Sequence, residues 1–194
     1  MAIVRRDPAS VETELLGGRL TCPNCGGELA PWGHASERGV RRREVEERIR
    51  PRRSRCRSCR RTHVILPSTT LLRRRDHVET IGAALEARAR GCGYRLIAGK
   101  LGRSRFSVRN WLRSFARLAE QVRIHFTAVA YAQDPELQAI EPAGNPVRDA
   151  LEAIGVAVRA AVQRHGQHPT WCLASQLSNG VLLNNAIWHL PRPS

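Results

Sequence analysis

Residues 54–63 read SRCRSCRRTH, two cysteines two residues apart among four arginines. Cysteines at this spacing hold a metal or form a redox couple. Upstream, CPNCGG (22–27) repeats the spacing, so Cys22, Cys25, Cys56 and Cys59 form C-x2-C, thirty residues, C-x2-C. Two such pairs wrap one tetrahedral Zn²⁺ in thiolate sulfur, the closed geometry of a structural site. Pro23 stiffens the first turn, and Gly26 and Gly27 are free to take positive φ around the metal. The second knuckle lacks a glycine, so its turn is made in another way.

The flanks of the knuckles read as strand. Val40, Val45 and Ile49 lie in a β-compatible stretch between the pairs, and THVILP (62–67) follows the second. Knuckle, strands, knuckle, strand is the order of a zinc ribbon. Thirty residues is long for its spacer, so a longer hairpin or a loop fills part of it. A dithiol redox pair is the competing reading, weakened by two copies of the motif and no βαβ context. His34 and His63 are substitute ligands only if a cysteine is not used. Cys92 and Cys172 stand alone and read as small buried apolar residues.

Charge sets the class of partner. The chain of 194 residues carries 32 Lys+Arg against 17 Asp+Glu, a formal charge of +15, and Lys100 is the single lysine. Residues 1–75 hold 18 basic and 8 acidic residues, 76–132 hold 10 and 4, and 133–194 hold 4 and 5. The first two-thirds is built to meet a polyanion, nucleic acid before membrane lipid. No apolar run reaches the length of a bilayer span, and the first twenty residues lack a signal core. The expected compartment is the cytoplasm, where thiols stay reduced and metal binding is favoured. Four thiolates around Zn²⁺ leave a formal charge of −2. Arg55, Arg57, Arg60 and Arg61 offset it, and Arg57 and Arg60 are candidates to reach DNA phosphate.

From residue 76 the period becomes helical. Val78, Ile81, Ala84, Leu85 and Ala89 share a face, Gly91 ends the run, and Asp76 with Glu79 spells a capping box. Leu96, Ile97, Ala98 and Leu101 then predict the inner face of a short helix. Gly102 supplies a tight turn, and Ser104 caps a third helix with Val108, Trp111, Leu112 and Phe115 inward. Helix, glycine turn, helix is a DNA-reading arrangement. Its outward residues are Arg105, Ser107, Arg109, Asn110 and Arg113. Arginine pairs bidentately with guanine and asparagine with adenine. Arg95, Lys100 and Arg103 fall at phosphate-contact positions. Phe106 fits either a thymine methyl or the core. An ordinary trihelical scaffold with a basic surface is the plain alternative. Trp111, Phe115, Leu118, Val122, Phe126 and Val129 step by three or four, so the third helix runs on to about 130 or breaks near 115. That seam serves either dimerisation or packing against the chain's own C-terminal part.

CPNCGG, IRPRRSRCRSCRRTHVILP and GYRLIAGKLGRSRFSVRNWL together resemble the zinc-ribbon plus helix-turn-helix head of insertion-sequence transposases and their accessory proteins. More narrowly, they are similar to an uncharacterised four-cysteine ribbon and helix-turn-helix family of high-GC bacteria. The resemblance covers residues 20–116. It implies binding of element-end DNA through the four cysteines' ribbon and the Arg105–Arg113 face, with a separately encoded transposase or integrase as partner. Strand cutting would need three acids in a nuclease core. The last third offers Asp134, Glu136, Glu141, Asp149 and Glu152, all within 19 residues.

Residues 132–147 read as a linker, 146–166 as an amphipathic helix on Val147, Leu151, Ile154, Val158 and Val162, and 169–194 as a short helix, an Asn179-Gly180 turn and an apolar tail with Trp188 that ends in prolines. His165, His168 and Cys172 lack a fourth ligand for a second metal. The expected fold is α+β, mostly α: a lead (1–19), a small β zinc ribbon (20–72), a helix-turn-helix trihelical domain (73–131) and a helical C-terminal packing or assembly region (132–194). The expected function is non-enzymatic binding of double-stranded DNA with structural Zn²⁺, as a transposase accessory or truncated head, with a homodimer allowed and no membrane. A host transcriptional regulator is the nearest alternative. A zinc-dependent hydrolase or dithiol oxidoreductase is the alternative of another class.

Overall fold

The computed structural model describes residues 2–5, 8–42, 45–142 and 144–184. The fold is α+β and mostly α, with the strands in the first third. Strand β1 (Ala2–Arg5) and helix α1 (Pro8–Leu16) precede β2 (Leu29–His34), β3 (Arg38–Arg42), β4 (Val45–Ile49), β5 (Arg52–Cys56) and β6 (Thr62–Pro67). Helices α2 (Val78–Ala89), α3 (Tyr94–Leu101), α4 (Arg105–Gln133), α5 (Pro146–His165) and α6 (Thr170–Leu177) follow.

Strands β2, β5 and β6 form the antiparallel ribbon, and β1 adds to it in parallel, giving the order β1-β6-β5-β2. The period of two puts Ser54, Cys56, His63 and Ile65 on one buried face. Helix α1 covers that face with Val11 and Leu15. Strand β1 thus extends the ribbon sheet, and α1 supplies part of its buried face. The long spacer holds a separate hairpin, β3–β4, paired from Arg38↔Ile49 to Arg42↔Val45.

The helix-turn-helix forms where its spacing predicts. Gly102 ends α3 in the left-handed region at φ 60°, ψ 38°, which costs glycine nothing. Ser104 caps α4 by accepting the Ser107 N–H at 3.1 Å. Helix α4 runs unbroken over 29 residues. Its apolar seam is covered within the chain by α5, whose Ala150, Ala153, Ala157 and Ala161 allow a close approach. Val147 shares a hollow with Leu112 and Ala116, and Ala160 shares another with Asp134, so α5 runs in the same direction as α4.

Helix α6 closes the molecule. Trp171 lies against Gly82 of α2, where an added Cβ would sit 2.2 Å from the indole, and its Nε1 donates to Glu86 at 2.7 Å. Ser175 Oγ donates to Thr70 O, Gly180 O accepts from Leu72 N–H, and Arg74 donates to Leu183 O, each at 2.7–2.8 Å. Asn179 and Gly180 turn as expected, both at positive φ. Residues 132–184 thus share one core with the helix-turn-helix and strap it to the ribbon. Trp188 lies outside the described residues, as does the side chain of His165.

Two local expectations need correction. The cap of α2 is His77, whose Nδ1 accepts the Glu79 N–H at 3.2 Å. Asp76 is instead buried between ribbon and helices, where its carboxylate has a greater use. Leu96, expected inward, is 53 % exposed, because the short α3 buries only Ile97 and Ala98.

Candidate metal centre and nucleic-acid interface

The two knuckles are built alike. In the first, Gly26 N–H donates to Cys22 O at 2.8 Å and Cys22 N–H to Gly27 O at 2.7 Å. In the second, Arg60 N–H donates to Cys56 O at 3.1 Å and Cys56 N–H to Arg61 O at 2.9 Å. The residue after the second cysteine turns left-handed in both, Gly26 at φ 74° and Arg60 at φ 62°. Arg60 therefore makes the turn that glycine makes upstream, at a steric cost of about 1 kcal/mol. Gly27 does not take positive φ. Its value is clearance, since a Cβ there would lie 2.3 Å from Ser58 Oγ and 3.2 Å from Cys56 Sγ.

These loops bring the four sulfurs together, all within 4.8 Å of one another. The Cys22–Cys59 pair is 3.7 Å apart and the Cys25–Cys56 pair 3.5 Å. A tetrahedron of sulfurs at the zinc–thiolate distance has edges of about 3.8 Å. All six cysteines are free thiols. The Cys59 N–H, 3.4 Å from Cys56 Sγ, favours the Cys56 thiolate and lowers its pKa to about 6. Cys25 is pushed up to about 11: the Gly27 N–H favours its thiolate, but hydrogen bonds shared with Cys56 and Cys59 outweigh it. Four sulfurs this close ionise together only with a cation among them. The donor set is compatible with a bound metal.

His63 is buried behind the shell, its Nε2 3.4 Å from Cys22 Sγ, and burial lowers its pKa. It touches a ligand instead of replacing one. His34 is exposed and outside the cluster. Among the described residues the four cysteines are the only group of this kind. Cys172 is buried, and burial raises its pKa to about 11.

Arg55, Arg57 and Arg61 make contacts at the knuckles, while the Arg60 side chain is exposed. Arg61 Nη1 donates across the knuckles to Asn24 Oδ1 at 2.8 Å. Arg57 pairs with Glu28 at 3.1 Å yet stays exposed. Arg55 stacks on Trp32, 4.6 Å from the ring centroid, and its Nε donates to Arg60 O. That second contact holds the strained Arg60 turn.

On the helices, Arg105, Arg109, Asn110 and Arg113 are exposed along α4, while Val108, Trp111 and Phe115 are buried opposite. Ser107 is half-buried, with its Oγ 2.9 Å from Ser104 Oγ. Arg95 and Lys100 are exposed on α3. Tyr94 lies among these charges: the Arg95 guanidinium beside it, then Arg109 and Arg105, pull its phenol pKa down. Phe106 is 72 % exposed and belongs to this face, not to the core. With Leu96, it places apolar surface within the basic patch. Arg103 does not join them. Its side chain is 8 % exposed and pairs with Asp76 Oδ1 at 2.7 Å, while Arg41 holds Oδ2 at 3.1 Å. Sequence reasoning missed Asp76 because its signal, an acid before a helix, also spells a cap.

Residues 22–94 match a family described as a domain of unknown function (DUF6431). The match begins at the first metal-facing cysteine, spans ribbon, hairpin and α2, and stops as α3 begins. No curated protein and no solved structure matches the chain.

Proposed function

We propose that this chain is a zinc-stabilised protein that binds duplex DNA through its helix-turn-helix. The observation that carries the reading is the exposed Arg105, Arg109, Asn110 and Arg113 face of α4, led in by the Gly102 turn and fixed from behind by a packed core. An α-helix of this kind fits the major groove, where arginine and asparagine distinguish guanine and adenine. Zinc is the metal assigned, because four thiolates at tetrahedral spacing suit it. When bound, it supplies positive charge and cross-links the knuckles. The chain's own arginines then brace the loops, and Arg95 and Lys100 meet phosphate. Among the described residues, no helix is long and apolar enough to cross a membrane.

Binding-site selection on random duplex DNA tests this. Arg109→Ala and Arg113→Ala should each relax the selected motif and weaken binding by ~1–3 kcal/mol. An unchanged motif and affinity would remove α4 as the reader. A role beside a transposase, as accessory or truncated head, rests on the resemblance over residues 20–116. A host regulator would use the same face. Selected sites matching the ends of a mobile element favour the first, and sites near promoters favour the second.

A dithiol oxidoreductase is the alternative of a different class: it would use the Cys56–Cys59 pair, in which the Cys59 N–H lies 3.4 Å from Cys56 Sγ. Metal counting with thiol titration separates the two. One zinc and four protected thiols support the structural site, whereas a reversible Cys56/Cys59 couple supports redox chemistry. A zinc-dependent hydrolase needs an open ligand position, which a four-sulfur shell does not leave.

A further inference from the structure

The β3–β4 hairpin stands apart from the ribbon sheet, its two strands pairing with each other. Its attachment is at Arg41. The Arg41 N–H donates to Arg75 O at 2.6 Å, and its carbonyl accepts from His77 N–H at 2.9 Å and Arg103 Nη2 at 3.4 Å. Buried Asp76 ties the Arg41 and Arg103 guanidiniums together just below. The hairpin is thereby clamped to the turn between α3 and α4, the point from which the reading helix starts.

Between hairpin and helices lies a groove of about 1150 Å³. Arg41, Arg42 and Val45 line one wall, and Lys100, Gly102 and Ser104 the other. Arg42 and Lys100 are both exposed, facing the groove from opposite sides. Two acids also line it. The Glu46 carboxylate folds back over Gly39, and the Glu79 carboxylate has a buried oxygen. Glu46 is exposed there as well, and Arg42 and Lys100 are the lining cations that Asp76 does not hold.

We infer that the hairpin is a second DNA-binding element, a wing whose Arg42 clasps with Lys100 the sugar–phosphate strand beside the bases read by α4. The inference rests on the DNA-binding reading above and extends it to strands β3 and β4. Phosphate is the ligand because Arg42 and Lys100 meet the groove as separate charges from its two walls. The clamp at Arg41 fixes the spacing between wing and reader, so one duplex meets both without either rearranging.

The test uses the full-length, metal-loaded protein and a labelled 30-base-pair duplex of mixed sequence, titrated over a series of salt concentrations. Arg42 is exposed, so Arg42→Ala should keep the circular dichroism spectrum and melting temperature of the parent. Binding should weaken several-fold and equally for unrelated sequences, and the slope of log affinity against log salt should fall by about 1. Arg42→Glu should weaken it further. A hydroxyl-radical footprint should lose protected backbone positions next to the α4 site. If Arg42→Glu leaves affinity, slope and footprint unchanged while Arg109→Ala weakens binding, the wing is wrong and the reader stands. If the parent protein fails to bind the duplex at any salt, the DNA reading itself falls, and the wing with it.

Discussion

Around the four cysteines, the buried apolar side chains are Val11, Leu15, Leu20, Leu29 and Ile65, joined by Cys22 and Cys56 themselves. Along α2–α6, one continuous core runs from Leu71 to Leu183 and includes Trp111, Phe115, Phe126, Ile154 and Trp171. The ribbon has a small apolar core, and two of its core residues belong to the candidate metal site. Small units of this kind are completed by a metal. The helices need none. One chain thus joins a part with little apolar core around four clustered cysteines to a part held by extensive packing.

Removing the metal is the largest test of that contrast. Chelation should unfold β2, β5, β6 and both knuckles while α4 and α5 keep their structure. Apparent binding energies at structural zinc sites run to about 10 kcal/mol or more, beyond what this small core supplies. Hydrogen exchange reads the outcome. Protection lost at 52–67 and kept at 111–130 supports the division, and equal loss in both would dissolve it.

Asp76 tests the joint. Asp76→Ala leaves Arg103 buried without its partner and should destabilise the chain by about 3–5 kcal/mol, read by denaturant unfolding. If ribbon and helices then unfold in two steps where the parent unfolds in one, Asp76 is what couples them.

Acid should strain the helical side by a smaller amount. His77 and His125 are buried, and burial lowers both pKa values below 6.5; His125 Nε2 also lies 3.0 Å from Leu177 O. The unfolded chain then binds protons that the fold excludes, so stability is retained above pH 6.5 and lost as pH falls below it. Thermal melts of the metal-loaded protein between pH 7.5 and 5.5 should show falling transition temperatures. A flat profile would mean that both histidines protonate without cost.

Arg60→Gly gives the smallest effect, a gain. Glycine relieves the left-handed turn but loosens the unfolded chain, for a net of about 0.5–1 kcal/mol. Competition with a metal chelator should then show tighter retention of the metal.

What was legible in the sequence was set by short spacing. The C-x2-C pairs, the Gly102 turn and the Ser104 cap each declare themselves within five residues, and all three form. What was not legible depends on distance. Strand β1 pairs in parallel with β6 some sixty positions on, a contact that four residues cannot announce. Arg103 looks like any basic residue near a recognition helix until Asp76, 27 positions earlier, is seen to claim it. Leu96 fits a helical stripe, but α3 is too short to bury the whole of it. The exposed arginine face of α4 was legible because surface arginines need no partner within the fold to hold their place.

The strap formed by α6 and the Asn179-Gly180 turn has a consequence for the order in which the molecule is made. Ser175 reaches Thr70 across 105 positions, and Arg74 reaches Leu183 across 109. On the ribosome, the cysteines emerge and can take their ion while these partners are still untranslated. The helix-turn-helix follows, with one side of α2 bare until Trp171 arrives to cover Gly82. The strap is therefore added to the Arg41–Asp76–Arg103 joint only as synthesis ends, and a chain that stalls before residue 170 has that joint alone between its two halves.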